Sequence, residues 1–135
     1  MRKISRQAAE AFFAGRPFKK DNTVVENTGL VVALKLWGNQ IASYNLTETP
    51  LYRNKTLRFS LCGWNTVTTR ERLYALGVTL FKRRGNLYWL YNGRELLIND
   101  TAGYAIDWQE AKDMADIHAG LGVRLWPNRD LRKEI

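Results

Sequence analysis

The spacing of apolar positions changes period early in the chain, from helical to alternating. Ala8, Ala9, Phe12 and Phe13 share one face of a helical wheel, with Ser5 as the expected N-cap, Gly15 as a left-handed stop and Pro17 beyond it. From Thr23 the pattern becomes that of strands. Thr23-Val24-Val25 predicts a short strand and Asn27-Thr28-Gly29 a turn, and residues 30–37 and 40–44 predict two strands joined at Gly38-Asn39. That register places Leu34, Leu36, Ile41 and Ser43 on one face, and Lys35, Trp37, Gln40, Ala42 and Tyr44 on the other. Residues 45–55 are polar, contain Pro50 and read as a loop. Residues 56–62 alternate again, with Leu57, Phe59 and Leu61 directed inward.

The second half repeats this alternation of helix and hairpin. Thr68 and Glu71 have capping-box spacing, so a helix is expected from Thr68 to about Leu76, with Leu73 and Leu76 facing the core and Gly77 ending it. Residues 78–83 and 87–91 predict strands on either side of Arg84-Gly85-Asn86. Asn92-Gly93 predicts a two-residue hairpin that pairs Tyr91 with Arg94 and puts Leu87, Trp89, Leu96 and Ile98 on one face, with Tyr88 opposite. Asp107 opens a last helix with Glu110 at its third position. Its apolar stripe is Ala111, Met114, Ala115, His118 and Leu121, and Gly120 and Gly122 end it. A closing strand over 123–126 and a charged tail over 127–135 follow. The fold class expected is α+β: a mainly antiparallel, hairpin-built sheet with about three short helices. Residues 1–99 form the core, and the helix and tail of 100–135 pack on the same single domain.

The chemistry available to such a fold is narrow. The chain has one Cys, Cys62, and one His, His118. An intrachain disulfide is impossible, and a structural zinc site needs about four ligands of these types. Cys62 ends an apolar run and reads as a small buried hydrophobe. His118 on an apolar stripe reads as a hydrogen-bonded core residue. Asp107 or Asp100 with Glu110 and Lys112 superficially matches a nuclease metal set, but such a set belongs on a strand and these residues are predicted helical. No phosphate-binding glycine loop and no nucleophile elbow are present. The reading is therefore non-enzymatic, with no cofactor and no metal. No secretory signal is expected, because the stretch after Met1-Arg2-Lys3 is short and broken by Glu10.

Charge adds the main functional signal. The 135-residue chain carries a formal net charge of +8, and phosphates reward clustered Lys and Arg through counterion release. Two segments combine cations with aromatic residues. Lys82, Arg83 and Arg84 precede a turn beside Tyr88, an arrangement suited to phosphate contact with base stacking. In the other, Gly63 and Trp64 precede a helix N-terminus carrying Arg70 and Arg72, an arrangement that could cradle a phosphate or nucleotide. Alternatively, capping consumes Thr68 and Glu71, and Trp64 plugs the core. Arg2, Lys3 and Arg6 form a basic N-terminal arm.

The stretch from Leu61-Cys62-Gly63-Trp64 to Thr68-Thr69-Arg70-Glu71-Arg72-Leu73 resembles a family of small tailed-bacteriophage proteins. Arg2-Lys3-Ile4-Ser5, Ala8-Ala9, Asn22-Thr23-Val24, Gly38-Asn39 with Ile41-Ala42, and Tyr91-Asn92-Gly93 accompany it in order. The resemblance spans residues 1–98, leaving 100–135 as an extension. It implies a phage gene expressed in an infected bacterium and no particular reaction.

The expected function is that of a phage accessory protein in the host bacterial cytoplasm. It would bind nucleic acid, or an acidic or nucleic-acid-handling host protein, through Trp64, Arg70, Arg72, Lys82, Arg83, Arg84 and Tyr88. Two alternatives stand beside it. One is a protein–protein inhibitor of a host or anti-phage defence protein, anchored by aromatics such as Trp37, Tyr44, Tyr52 or Trp126. The other is a binder of a small nucleotide at the turn of residues 63–70. No membrane partner is expected.

Overall fold

A computed structural model describes residues 1–47 and 55–121. Tyr52, Trp126, the Gly122 stop, the expected strand over 123–126 and the tail lie outside the described residues, as does the side chain of Leu121.

The fold is α+β. Helix α1 (Lys3–Ala14) leads into strands β1 (Phe18–Lys20), β2 (Thr23–Asn27), β3 (Val31–Leu36), β4 (Asn39–Asn45) and β5 (Thr56–Phe59). Helix α2 (Val67–Ala75) separates these from β6 (Thr79–Arg83), β7 (Asn86–Tyr91) and β8 (Arg94–Ile98). Strand β9 (Tyr104–Asp107) and helix α3 (Trp108–Leu121) follow. A six-stranded sheet has the order β1-β2-β3-β4-β5-β9, and a three-stranded sheet the order β6-β7-β8. All pairings are antiparallel. Helices α1 and α2 pack on the inner face of the wide sheet at β2–β4, and α3 packs on β5 and β9. The small sheet joins through Trp89, whose ring meets Phe59 edge-on at 5.0 Å. Val32, Leu34, Leu36, Ile41, Leu57, Phe59 and Leu61 meet Ala8, Phe12, Leu73 and Leu76 in one core.

Helix α2 starts two residues earlier than a cap at Thr68 would place it. Thr66 is its N-cap and its side chain accepts from the Thr69 amide at 3.1 Å. Glu71 is thereby moved out of capping position and turns inward. Ser5 likewise does not cap α1: the helix begins at Lys3, and Ser5 is buried within it. Both displaced residues serve one buried polar network. Arg72, only 2% exposed, donates from Nε to Thr23 Oγ1 at 3.1 Å and from Nη1 to Ser5 Oγ at 2.7 Å. Glu71 Oε1 accepts from Ser5 Oγ at 2.6 Å, Arg2 Nε at 3.1 Å and Arg72 Nη1 at 3.2 Å. Burial pushes the Glu71 carboxyl up, but the bonds from Ser5 and Arg2 and the charges of Arg2 and Arg72 outweigh it and hold it below the usual value.

The β3–β4 hairpin turns at Trp37-Gly38, one residue before the expected dipeptide, with φ of 50° and 81° at the two positions. Leu36 therefore faces Asn39, and a bulge at Ile41 follows, because Lys35 pairs with Gln40 but Leu34 with Ala42. Ala42 and Tyr44 consequently face the core with Val32, Leu34 and Leu36, while Ser43 moves to the outer face beside Ala33. Tyr44, offered above as an exposed anchor, is buried and donates to the Phe12 carbonyl at 2.6 Å. Burial raises its pKa to about 12. Strands β1 and β9 were not anticipated. Each is short, and β9 has no alternating apolar pattern to mark it.

Helix α3 docks by close approach. Gly77, at φ 89°, lies against the Ala111 carbonyl oxygen, which any β-carbon there would overlap. Asp107 Oδ2 caps the helix by accepting from the Glu110 amide at 3.0 Å. His118 is buried, stacks on the Tyr74 ring with centroids 3.7 Å apart, and bonds through Nδ1 to the Tyr74 carbonyl at 2.6 Å. Met114 departs from the expected stripe and is 42% exposed.

Two outcomes follow. Glu71→Ala strands the buried Arg72 charge and should lower unfolding free energy by about 3–5 kcal/mol in urea titration. Burial lowers the His118 pKa from 6.5, against the raising effect of its bond to Tyr74. A histidine with a lowered folded pKa gives its full stability above the unfolded value. Urea midpoints should therefore fall as pH drops through 6.5 towards the folded pKa, and His118→Asn should flatten that slope.

Candidate nucleic-acid interface

The small sheet has two unlike faces because its hairpins set the register. Arg84 and Gly85, and then Asn92 and Gly93, take positive φ of 53°, 82°, 51° and 76°, giving two tight two-residue turns. Leu80, Leu87, Trp89 and Ile98 point into the core. The other face therefore carries Phe81, Tyr88 and Leu97 in one row, since Phe81 pairs with Tyr88 and Tyr88 with Leu97. The Phe81 and Tyr88 rings lie 5.5 Å apart and 21° from parallel. Leu97 is 67% exposed.

Arg83 lies across this row. Its guanidinium carbon sits 4.7 Å from the Tyr88 centroid and 5.6 Å from that of Phe81. Its Nη2 reaches Glu95 Oε1 at 2.8 Å. The result is a layered platform: two rings below, a guanidinium plane above them, and a carboxylate holding that plane in place. The bond to Glu95 is the main cause that raises the Arg83 pKa, so the group stays charged throughout the ordinary pH range. Lys82 alternates to the other face but is exposed at the strand end, and Arg84 stands exposed in the turn.

The seven residues read as a site thus separate into two groups. Lys82, Arg83, Arg84 and Tyr88 come together on the β6–β7 hairpin. Trp64, Arg70 and Arg72 lie elsewhere. Arg72 is corrected outright: it is consumed inside the network with Ser5, Thr23 and Glu71 and reaches no surface. Arg70 is half-buried and donates to the carbonyl and side-chain oxygens of Asn65, bracing the turn before α2. Trp64 does not plug the core but is 54% exposed.

Phe81, Glu95 and Leu97 were missed, and the first was legible. Period-two alternation from the inward Leu80 puts Phe81 on the Tyr88 face. Glu95 became part of the site only through a diagonal reach that pairing alone does not reveal. Among the described residues no cluster of His, Cys, Asp and Glu has the makings of a metal site. Glu110 accepts from the Tyr91 hydroxyl at 2.7 Å, and Lys112 pairs with Asp116 at 2.7 Å. Cys62 is only half-buried; its thiol meets the Gln40 carbonyl at 3.1 Å. None of the helices among the described residues is long and apolar enough to cross a membrane.

The chain belongs to the Kyanoviridae Gp96 protein family, a phage protein family that it matches over residues 1–114. The match runs beyond residue 98, where the sequence resemblance was placed to end, and takes in β9 and the first half of α3. Those segments complete the core through the β5–β9 pairing and the Ala111–Gly77 approach. No curated protein and no solved structure matches the chain.

Buried Arg72 and exposed Trp64 predict opposite behaviour. Arg72→Ala should cost about 3–5 kcal/mol in urea titration, because Glu71 loses its buried counter-charge. Trp64→Ala should stay within about 0.5 kcal/mol of the parent, as exposed substitutions usually do.

Proposed function

We propose that this phage protein is a non-enzymatic accessory factor that acts in the host bacterial cytoplasm by binding single-stranded nucleic acid on the outer face of the β6-β7-β8 sheet. The observation that carries the reading is the layered platform, with Arg83 over Phe81 and Tyr88. A base stacks favourably on a guanidinium or an aromatic plane whatever its identity. Lys82 and Arg84 stand at the end of the same hairpin, within reach of the phosphates that flank a stacked base. A duplex hides its base faces, so single strands suit this platform better. The net charge of +8 adds long-range attraction.

Glu95 opposes binding in this arrangement. Its carboxylate occupies the guanidinium edge that a phosphate would take, so phosphate and Glu95 compete for Arg83. The bound strand therefore works against the intramolecular pair.

A second reading rests on a separate observation. Trp37 takes φ 50°, a region bulky residues avoid, and is 57% exposed. Its amide donates to the Asn22 carbonyl at 2.9 Å, and Cys62 contacts Gln40, so the turns at that end of the wide sheet are stitched together. The Cys62-Gly63 turn leads into Trp64, which with Trp37 would serve as a rigid aromatic anchor for a host or defence protein.

Fluorescence titration of a labelled oligothymidylate tests the nucleic-acid reading. Binding should weaken with salt at a log–log slope of about −2, from roughly three phosphate contacts. Arg83→Ala should weaken it roughly tenfold or more, and Glu95→Gln should tighten it several-fold by removing the competing charge. Absence of binding at low salt, or a Glu95→Gln variant that binds more weakly, contradicts the nucleic-acid reading. Loss of binding in Trp37→Ala with Arg83→Ala unaffected moves the site to the turn end.

A further inference from the structure

The layered platform has a different neighbour in each direction across the sheet. Tyr88 pairs with Phe81 on one side and with Leu97 on the other. Along β7, alternation returns to the outer face at Asn86 and Leu90, each about 7 Å from Tyr88. Two polar neighbours are committed. Glu95 holds Arg83, and the Asn99 side-chain oxygen accepts from the Thr101 and Ala102 amides and the Thr101 hydroxyl. Asn86 is exposed, and its side chain makes no hydrogen bond among the described residues. Leu97, at 67%, is more exposed than any other large apolar side chain described.

We propose that Leu97 makes this face selective for thymine, and so for single-stranded DNA over RNA. The inference rests on the nucleic-acid reading given above. A base stacked on the Arg83 and Tyr88 layers meets Asn86 along the strand and Leu97 across it, two directions at right angles. Thymine carries the donor N3–H and the acceptor O4 side by side on one edge, and its 5-methyl group lies next to O4. A carboxamide holds a donor and an acceptor in one plane, so Asn86 satisfies that edge. The methyl group then meets Leu97, and both leave water. Every other base also presents an adjacent donor and acceptor, so Asn86 accepts all of them and Leu97 discriminates. Uracil and cytosine bring only hydrogen at C5. Purines bring the acceptor N7, to which Leu97 can donate nothing. Because RNA carries uracil in place of thymine, the same contact separates a single DNA strand from cellular RNA.

Competition against a labelled oligothymidylate is the test, with unlabelled oligothymidylate, oligodeoxyuridylate and oligouridylate of equal length at one salt concentration. The first two differ only in the 5-methyl group, so charge and sugar cancel. Oligodeoxyuridylate should compete roughly threefold to fivefold more weakly than oligothymidylate, the worth of one buried methyl group. Oligouridylate should compete no better than oligodeoxyuridylate. Leu97→Ser should remove the ratio, with an unchanged circular dichroism spectrum because Leu97 is exposed. Asn86→Ala should weaken all three and keep the ratio. Equal competition by oligothymidylate and oligodeoxyuridylate, with Arg83→Ala weakening both, overturns thymine selection and leaves the stacking reading standing. A ratio that survives Leu97→Ser, or oligouridylate competing better than oligothymidylate, also overturns it. Absence of binding by all three at low salt overturns both.

Discussion

Burying an arginine is expensive unless its charge and its donors are met, and this fold is arranged around meeting them for Arg72. The guanidinium leaves water, at an effective cost of several kcal/mol. What compensates it comes from three separate parts of the chain: Ser5 on α1, Thr23 on β2 and Glu71 beside it on α2. None of these groups can relax towards solvent without stranding the others. The network therefore fixes where α1 crosses the sheet and how α2 is rotated against both. Hydrophobic packing of Phe12, Leu73 and Leu76 supplies the larger favourable area, but area alone is tolerant of sliding. Charge-assisted bonds of defined length are not.

This constraint explains why three stretches that stand out in the sequence do so together. Arg2-Lys3-Ile4-Ser5, Asn22-Thr23-Val24 and Arg70-Glu71-Arg72 lie far apart along the chain, yet Ser5, Thr23, Glu71 and Arg72 meet within hydrogen-bonding distance. Their chemistry is directed inward. The surface chemistry sits elsewhere, on the β6–β7–β8 sheet, which the core holds through Trp89 against Phe59. Scaffold and surface are thus separable in this molecule. A substitution on the outer face can change binding while the Arg72 network keeps the scaffold in place.

What could be read from the sequence follows from how local each determinant is. Asn92-Gly93 suits positive φ at both positions, so its register, the inward Leu87, Trp89 and Ile98, and the outward Tyr88 are all legible. The first hairpin was misread because a tryptophan occupies the left-handed position at φ 50°, which local preference argues against. The one-residue shift that results, with the bulge at Ile41, exchanges Ser43 for Ala42 and Tyr44 in the core. Arg72 was illegible for a different reason. Its partners lie 49 and 67 residues away, and a charged residue in an amphipathic helix is ordinarily solvated. Of the candidate site, the cationic hairpin and Tyr88 were legible; the diagonal reach of Arg83 to Glu95 depends on side-chain geometry that no pattern encodes.

The Arg72 network holds the scaffold, and the outer face of the small sheet is the proposed binding surface. Amide chemical-shift mapping of the isotope-labelled chain during titration with a short oligothymidylate tests it directly. Perturbations should concentrate at Phe81, Arg83, Tyr88, Glu95 and Leu97, with residues 66–73 unmoved. Perturbations centred on the Thr66–Arg70 turn, with the β6–β8 face silent, would contradict it.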